Sequence, residues 1–262
     1  MRTFASVLGT RVSASRRVRV AARDEGLTAN LMIVDDDEVV RGALRTAMED
    51  EGYDVAEAHE AEDALTYLRS NGAPDVMIVE LMLGDMDGFD CIREIRREHD
   101  VPIIVISSRD DTHDVVAALE AGADDYVTKP FEIKEISARM RALRRRARLT
   151  MEREAPREAV LDAHPDGQLV LDRDGGAVRR GEDEIRLTIT EFKLLCELAE
   201  SPGRVLSRTV LLERVWDDGF FGDERIVDVH MRRLRTKIEL DASEPRIVVT
   251  VRGLGYRLDL QR

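Results

Sequence analysis

At 262 residues with a hydrophobic fraction of 43%, the chain has room for two modest domains, each with its own core. A formal net charge of −13 excludes a protein that is basic over its whole surface, and only two cysteines exclude a disulfide framework. No stretch approaches the length of a membrane span. Charge is uneven along the chain. Acids crowd the segment from Asp35 to Asp125, whereas Arg139, Arg141, Arg144, Arg145, Arg146 and Arg148 form one basic run and Arg225, Arg232, Arg233, Arg235 and Lys237 a second. Cys91 and Cys196 sit far apart in helix-like segments with no neighbouring His or Cys at ligand spacing, which points to a reduced, cytoplasmic protein.

The first 30 residues are rich in Arg, Ser and Ala, poor in acids, and lack the continuous apolar core of a secretory signal. On composition they also pass as a mitochondrial transit peptide; a disordered extension, or an upstream translation start ahead of Met32, accounts for them better. Leu31 to Val34 is then a short apolar run that ends in Asp35-Asp36-Asp37. Runs of this length bounded by turn residues suit strands buried on both faces. Glu38 to Glu51 spaces Val39, Leu44, Ala47 and Met48 helically and stops at Gly52. A strand over Tyr53 to Ala58 and a helix over Ala61 to Arg69 follow.

Val76 to Val79 repeats the first device: an apolar run ending in an acid, Glu80, and a loop holding Gly84, Asp85, Asp87 and Gly88. A helix from Phe89 to Glu98 leads to a strand over Ile103 to Ile106 that ends in Ser107-Ser108. Asp110 to Glu120 is helical, Tyr126-Val127 runs into Thr128-Lys129-Pro130, and Glu132 to Arg148 carries an apolar stripe of Ile136, Met140 and Leu143. The order is strand, helix, strand, helix throughout, a doubly wound α/β pattern with a five-stranded parallel sheet. Right-handed crossovers bring the C-terminal strand ends to one rim, where ligands bind in such sheets. Asp35, Asp36, Glu80, Ser107 and Lys129 should therefore share a pocket.

From 150 to 166 the pattern dissolves into charged and small residues with two prolines, read as a linker between domains at 31–149 and 167–262. Short strands are expected over Leu169 to Asp172, Ala177 to Arg179 and Ile185 to Thr188. Thr188 or Thr190 can cap a helix carrying Phe192, Leu194, Leu195 and Leu198, and Ser207 caps the next, Val210 to Trp216. Glu224 to Glu239 interleaves Ile226, Val227, Val229, Leu234 and Ile238 with His230, Arg232, Arg233 and Arg235, an amphipathic helix with a basic outer face. A hairpin about Gly253-Leu254-Gly255 closes the chain.

These residues together resemble an OmpR/PhoB type response regulator. The first domain matches through VDDDE at 34 to 38, LMLGDMDG at 81 to 88, ISSR at 106 to 109 and GADDYVTKPF at 122 to 131. The second matches through LTITEFKLL, SPGRVLSRTVLLERVW, GDERIVDVHMRRLRTKI and TVRGLGYRL. The resemblance implies a flavodoxin-like receiver domain followed by a winged helix-turn-helix domain, and DNA-binding regulation of transcription rather than enzymatic turnover. It assigns Mg²⁺ as cofactor to Asp35 and Asp36 with Glu80, the switch roles to Ser107 and Tyr126, and the phosphate-pairing role to Lys129. It also puts Glu80 at the phospho-acceptor position, where the family has Asp, and Gly84-Asp85 where Pro-Gly is usual.

One methylene matters because phosphoryl transfer relies on positioning, and a misplacement of about 1 Å can cost about a hundredfold in rate. Glu80 extends its carboxylate by about 1.5 Å relative to Asp. The expectation is a non-standard receiver that is poorly phosphorylated, with Glu80 paired to Lys129 and accepting from Ser107 in imitation of the modified state. Three other readings stay open. Glu80 is a tolerated acid in a decayed pocket; the receiver is a conventional phospho-switch using Glu80 or Asp85; or the acids and Lys129 serve a Mg²⁺-dependent phosphohydrolase.

The resemblance further implies a homodimer through the receiver, with Asp125 and Arg139 as an ion pair and Leu119 and Ala138 in an apolar patch. Its partners would be double-stranded DNA at promoter direct repeats, RNA polymerase through the loop Asp217 to Asp223, and a sensor histidine kinase only if the phospho-switch operates. On DNA it assigns Arg225, His230, Arg232, Arg233 and Arg235 to a recognition helix, Thr250 to phosphate and Arg252 to the minor groove at the wing.

Overall fold

The structure is a computed structural model, and it describes residues 29–84, 86–149, 158–165, 167–216 and 224–261. Strands β1 (Ala29–Val34), β2 (Tyr53–Ala58), β3 (Val76–Val79), β4 (Ile103–Ser107) and β5 (Asp125–Thr128) form one parallel sheet in the order β2-β1-β3-β4-β5. They alternate with α1 (Glu38–Asp50), α2 (Ala61–Asn71), α3 (Gly88–Glu98), α4 (Thr112–Ala121) and α5 (Ile133–Leu149). Strand alternation sorts the core into two layers. Leu31, Ile33, Ile78, Ile104 and Ile106 meet α1 and α5 through Leu44, Met48, Ile136, Met140 and Leu143. Met32, Val34, Met77, Val79, Ile103 and Val105 face α2, α3 and α4 through Leu68, Ile92, Ile95 and Leu119. The doubly wound sheet expected from the sequence is therefore the one observed.

The second domain begins earlier than expected. β6 (Glu158–Asp162) lies inside the stretch read as linker, and pairs antiparallel with β7 (Leu169–Asp172). Glu158 and Val160 are exposed while Leu161 and Asp162 are both buried, and the charged ends of so short a run mask the strand, so composition alone suggested a spacer. With β8 (Ala177–Arg180) and β9 (Asp183–Ile185) these strands make a four-stranded sheet in chain order. The strand expected over Ile185 to Thr188 lies instead at Asp183–Ile185 and stops before Thr188, which caps α6 (Ile189–Ala199) through a reciprocal box with Glu191. β10 (Val205–Leu206) precedes α7 (Arg208–Trp216), and α8 (Arg225–Ile238) precedes the hairpin β11 (Val248–Val251) and β12 (Gly255–Leu258). β12 lies between β10 and β11. Gly255 is required there: its φ is +141°, and a Cβ would overlap the Leu206 carbonyl. Trp216 and Phe192 are buried core residues.

Candidate functional site

The acidic rim forms at the strand ends, as expected for an open parallel sheet. Asp35 follows β1 and Glu80 follows β3, and both are buried. Gly88 lets the start of α3 fold against this turn, since a Cβ would stand 2.6 Å from the Glu80 carbonyl oxygen. Lys129, just beyond β5, places its Nζ 2.9 Å from Asp35 Oδ2 and 2.7 Å from Glu80 Oε2. The other Glu80 oxygen, Oε1, accepts from the backbone N–H of Leu81 at 2.6 Å and of Met82 at 3.1 Å. Asp35 Oδ1 accepts from the Asp37 N–H at 2.9 Å. Burial pushes the Asp35 carboxyl up, opposed chiefly by Lys129. Burial alone would lower the lysine, but its bonds to Glu80 and Asp35 outweigh that and raise it.

This arrangement does not fit a Mg²⁺ ion on Asp35, Asp36 and Glu80. The ion needs carboxylate oxygens that converge at octahedral positions, and the ligand atoms of these three acids do not converge. A lysine cation already lies between the two acids, and Asp36 points to solvent as an exposed residue. The expected metal set is not brought together in this structure. Among the described residues, the one set of three metal-type side chains with converging ligand atoms is His59, Glu60 and Asp63, exposed at the start of α2.

The expected pair of Glu80 with Lys129 is present. Ser107 is fully buried, and its Oγ accepts from the Arg109 N–H at 3.4 Å. Tyr126 donates its hydroxyl hydrogen to the Arg109 carbonyl at 2.5 Å, and burial pushes its pKa up to about 12. The two switch residues thus meet at Arg109 rather than at Glu80. Asp85, the alternative acceptor, and the loop 217–223 lie outside the described residues.

Of the expected dimer face, only Ala138 is exposed. Arg139 Nη1 reaches Asp125 at 2.9 Å within the same chain, and Asp125 is buried. Leu119 is buried, packed against the second domain rather than presented for a partner copy. The sequence showed which residues are apolar on α4, not that another part of the chain covers them.

The basic helix divides. Arg225 and Arg232 are exposed, as is Arg252 in the turn between β11 and β12. Arg235 Nε donates to the Val248 carbonyl and Nη2 to Thr250 Oγ1, both at 2.7 Å, and its guanidinium lies over the Tyr256 ring. Tyr256 in turn donates to Asp228 Oδ1 at 2.6 Å, which also takes Arg208 Nε at 2.7 Å. These bonds tie the hairpin to α8. His230 departs from its expected outward position: it is fully buried, with its ring centroid 5.4 Å from that of Trp216. Its spacing along the helix puts it on the seam between the apolar and basic faces, which sequence cannot resolve.

Arg233 departs as well. Its Nη1 donates to the carbonyls of Leu119 at 3.0 Å and Ala123 at 3.2 Å, and its Nη2 is 3.2 Å from Glu191 Oε1. Beside it lies a cluster that sequence reading missed. Asp124 Oδ2 takes Arg96 Nη2 at 2.9 Å and the Ile103 N–H at 3.0 Å, while Oδ1 takes the Thr190 hydroxyl of α6 at 2.8 Å. Burial would raise the Asp124 carboxyl, but Arg96 first, then His230 and Arg233, hold it below the usual carboxylate range. The acidic doublet Asp124-Asp125 at a strand start was the only sequence signal for this cluster.

Residues 31–141 match the family described as response regulator receiver domain, and residues 181–258 the family described as transcriptional regulatory protein, C terminal. The transcriptional regulatory protein AfsQ1 of Streptomyces coelicolor is 43% identical over 230 residues, covering 88% of this chain and 98% of that protein. The DNA-binding response regulator MtrA of Mycolicibacterium smegmatis is 41% identical over 227 residues, covering 87% and 95%. Among solved structures, a RitR mutant superposes with a TM-score of 0.69 at 27% identity, covering 88% of this chain and 99% of that one.

Proposed function

Because the chain belongs to the OmpR/PhoB type response regulators, DNA-binding transcription factors of two-component systems, we propose that it is a member whose receiver works without phosphorylation of Glu80. The observation that carries this reading is the commitment of both Glu80 oxygens: Oε2 to Lys129 at 2.7 Å, Oε1 to the Leu81 and Met82 amides. In-line attack needs an acceptor oxygen with a free lone pair directed at the phosphoryl donor and a metal to offset the donor's charge. Here Oε1 already accepts twice, and Oε2, which keeps a lone pair, is held by the lysine that joins the two acids. A fixed Glu80–Lys129 pair supplies one of the charge-assisted contacts that a phosphorylated Asp would make. Ser107 Oγ accepts from the Arg109 N–H, and among the described residues no Ser107 bond to Glu80 completes the imitation.

The DNA-facing set in this reading is Arg225, Arg232, Arg252 and, through the wing, Thr250 and Arg235, with Arg233 joining when α8 is free. Phosphate contacts from these cations would position the dimer on paired half-sites, and α8 would enter the major groove. Exposed Ala138 remains the proposed receiver contact between copies, with Asp125 and Arg139 paired within each chain.

Intact mass after acetyl phosphate and Mg²⁺, on the native chain and on Glu80→Asp, tests the reading. The native chain is expected to gain no phosphoryl group and Glu80→Asp to gain one. A native chain that gains a phosphoryl group overturns it.

A further inference from the structure

The connection from β2 into α2 places three side chains of metal-ligand chemistry close together in the chain. His59 follows the last residue of β2, Glu60 is the N-cap of α2, and Asp63 lies in its first turn. Their ligand atoms, an imidazole nitrogen and one oxygen from each carboxylate, all lie within 4.8 Å of one another. His59 Nε2 stands 3.6 Å from Glu60 Oε1. Two ligands bound to one ion at about 2.0–2.1 Å and a tetrahedral angle are roughly 3.3 Å apart, so this pair has only a few tenths of an ångström to close.

The ordinary work of residues at a helix start does not account for this set. Glu60 occupies the N-cap position yet makes no side-chain bond to the cap, and glutamate is not among the residue types that serve well there. Acids in a first turn complement the helix dipole, and Glu62, paired to Arg69 at 2.6 Å, fits that role. An imidazole gains nothing from that dipole. The Asp63 carboxylate makes no hydrogen bond or ion pair among the described residues. The contrast is with the rim, where Asp35 and Glu80 are held by Lys129 and by backbone amides. Here the carboxylates converge on an imidazole, and His59 and Asp63 are exposed.

We propose that His59, Glu60 and Asp63 form an open site for one divalent transition-metal ion of the zinc type. One neutral imidazole with two carboxylates suits a borderline ion such as Zn²⁺, whereas Mg²⁺ and Ca²⁺ favour ligand sets made of oxygen alone. The two carboxylates balance the charge of the ion and so offset its repulsion by the positive end of α2. Three protein ligands leave a further coordination position to water. The formal net charge of −13 favours the approach of a cation.

The site begins one residue beyond the sheet. Ala58 pairs in register with Val34, and its carbonyl accepts from the Asp35 N–H at 3.2 Å. An ion held by His59 and Asp63 therefore ties the end of β2 to the first turn of α2, beside the strand that runs into Asp35. This ligand is required neither by the reading of Glu80 nor by the DNA-facing set. It also uses no residue of the seam between the two domains, where Asp124, Thr190 and Arg233 meet.

The test uses the full chain without a polyhistidine tag, stripped of metal with a chelator and dialysed. Calorimetric titration with Zn²⁺ reads affinity and stoichiometry, alone and in excess Mg²⁺, and thermal unfolding is followed as Zn²⁺ rises. The native chain is expected to bind Zn²⁺ in the presence of Mg²⁺ and to melt at higher temperature with more Zn²⁺, since an ion held by the folded state alone stabilises it by mass action. His59→Ala and Asp63→Asn change exposed positions, and each should weaken Zn²⁺ binding at least about tenfold, because even the loss of an outer-shell partner costs that much. His113→Ala, at an exposed histidine in the first turn of α4, should leave binding unchanged.

Native affinity in either His59→Ala or Asp63→Asn overturns the site, because the ion then lies elsewhere on the chain. Displacement of Zn²⁺ by excess Mg²⁺ overturns it as well, reducing the cluster to exposed acids that hold any divalent cation. A native chain that takes up no Zn²⁺, or one that loses it equally through His113→Ala, has no such site at the start of α2.

Discussion

Two carboxylate–cation clusters organise this molecule, and they differ in where their partners come from. At the rim of the parallel sheet, Glu80 and Asp35 close on Lys129, all at strand ends of one domain. At the seam, Asp124 gathers Arg96 from α3 and Thr190 from α6, with Arg233 of α8 bonded to the neighbouring carbonyl of Ala123. Lys129 keeps 20% of its side chain exposed, whereas Asp124 keeps none. The rim can exchange its lysine bonds for water; the seam cannot. Coupling between the domains should therefore reside in the buried cluster, and the rim should tolerate change with smaller losses of stability.

The most disruptive change expected is Asp124→Ala. It leaves the Arg96 guanidinium buried with only the carbonyls of Gly122, His99 and Val101 as acceptors. Removing one partner of a buried pair costs about 3 kcal/mol or more, because the remaining charge is left uncompensated. Urea denaturation followed through the receiver should show that loss, and a loss below about 1 kcal/mol would mean the carbonyls suffice. Glu80→Ala should cost less, about 1–2 kcal/mol, since Lys129 keeps Asp35 and water can reach it. Glu80→Gln should fall between that variant and the native chain, because the amide oxygen still accepts from Leu81 and Met82. Equal losses for Asp124→Ala and Glu80→Ala would erase the distinction between buried and half-open cluster.

How much of this was legible in the sequence follows the same division. Asp35, Glu80, Ser107 and Lys129 were found because short continuous apolar runs end at them, and parallel strands bring such ends to one rim. The direction of Ser107 toward Arg109 was not legible, since a hydroxyl's partner depends on the path of the following loop. The seam was harder still. Asp124 and Thr190 are 66 positions apart, and nothing in the periodicity of either segment marks a side chain for use between domains. Thr188 and Glu191 were readable as a helix start, yet not as the site where Arg233 and Lys237 would be held. Period alone assigned His230 and Arg233 to the outer face of α8; packing against Trp216 and α4 took them inward.

The wing offers an intermediate case. Tyr256→Phe removes the bond to Asp228 while leaving the ring beneath Arg208 and Arg235. A loss of about 1 kcal/mol is expected, read as a lower melting temperature of the chain. Duplex affinity should fall only slightly, because Arg235 still anchors to Val248 and Thr250.

The smallest effect should come from Arg141, which bonds Glu51 at 2.9 Å with 61% of its side chain exposed. The distance equals that of Arg96 to Asp124, so a difference between the two isolates the contribution of burial. In water the Coulomb attraction is screened, and holding two long side chains together costs rotamer entropy. Arg141→Ala should therefore change stability by less than about 0.5 kcal/mol, and less again at high salt. A loss approaching that of Asp124→Ala would mean that contact geometry rather than burial ranks the ion pairs of this chain, and the seam would lose its claim to carry the coupling.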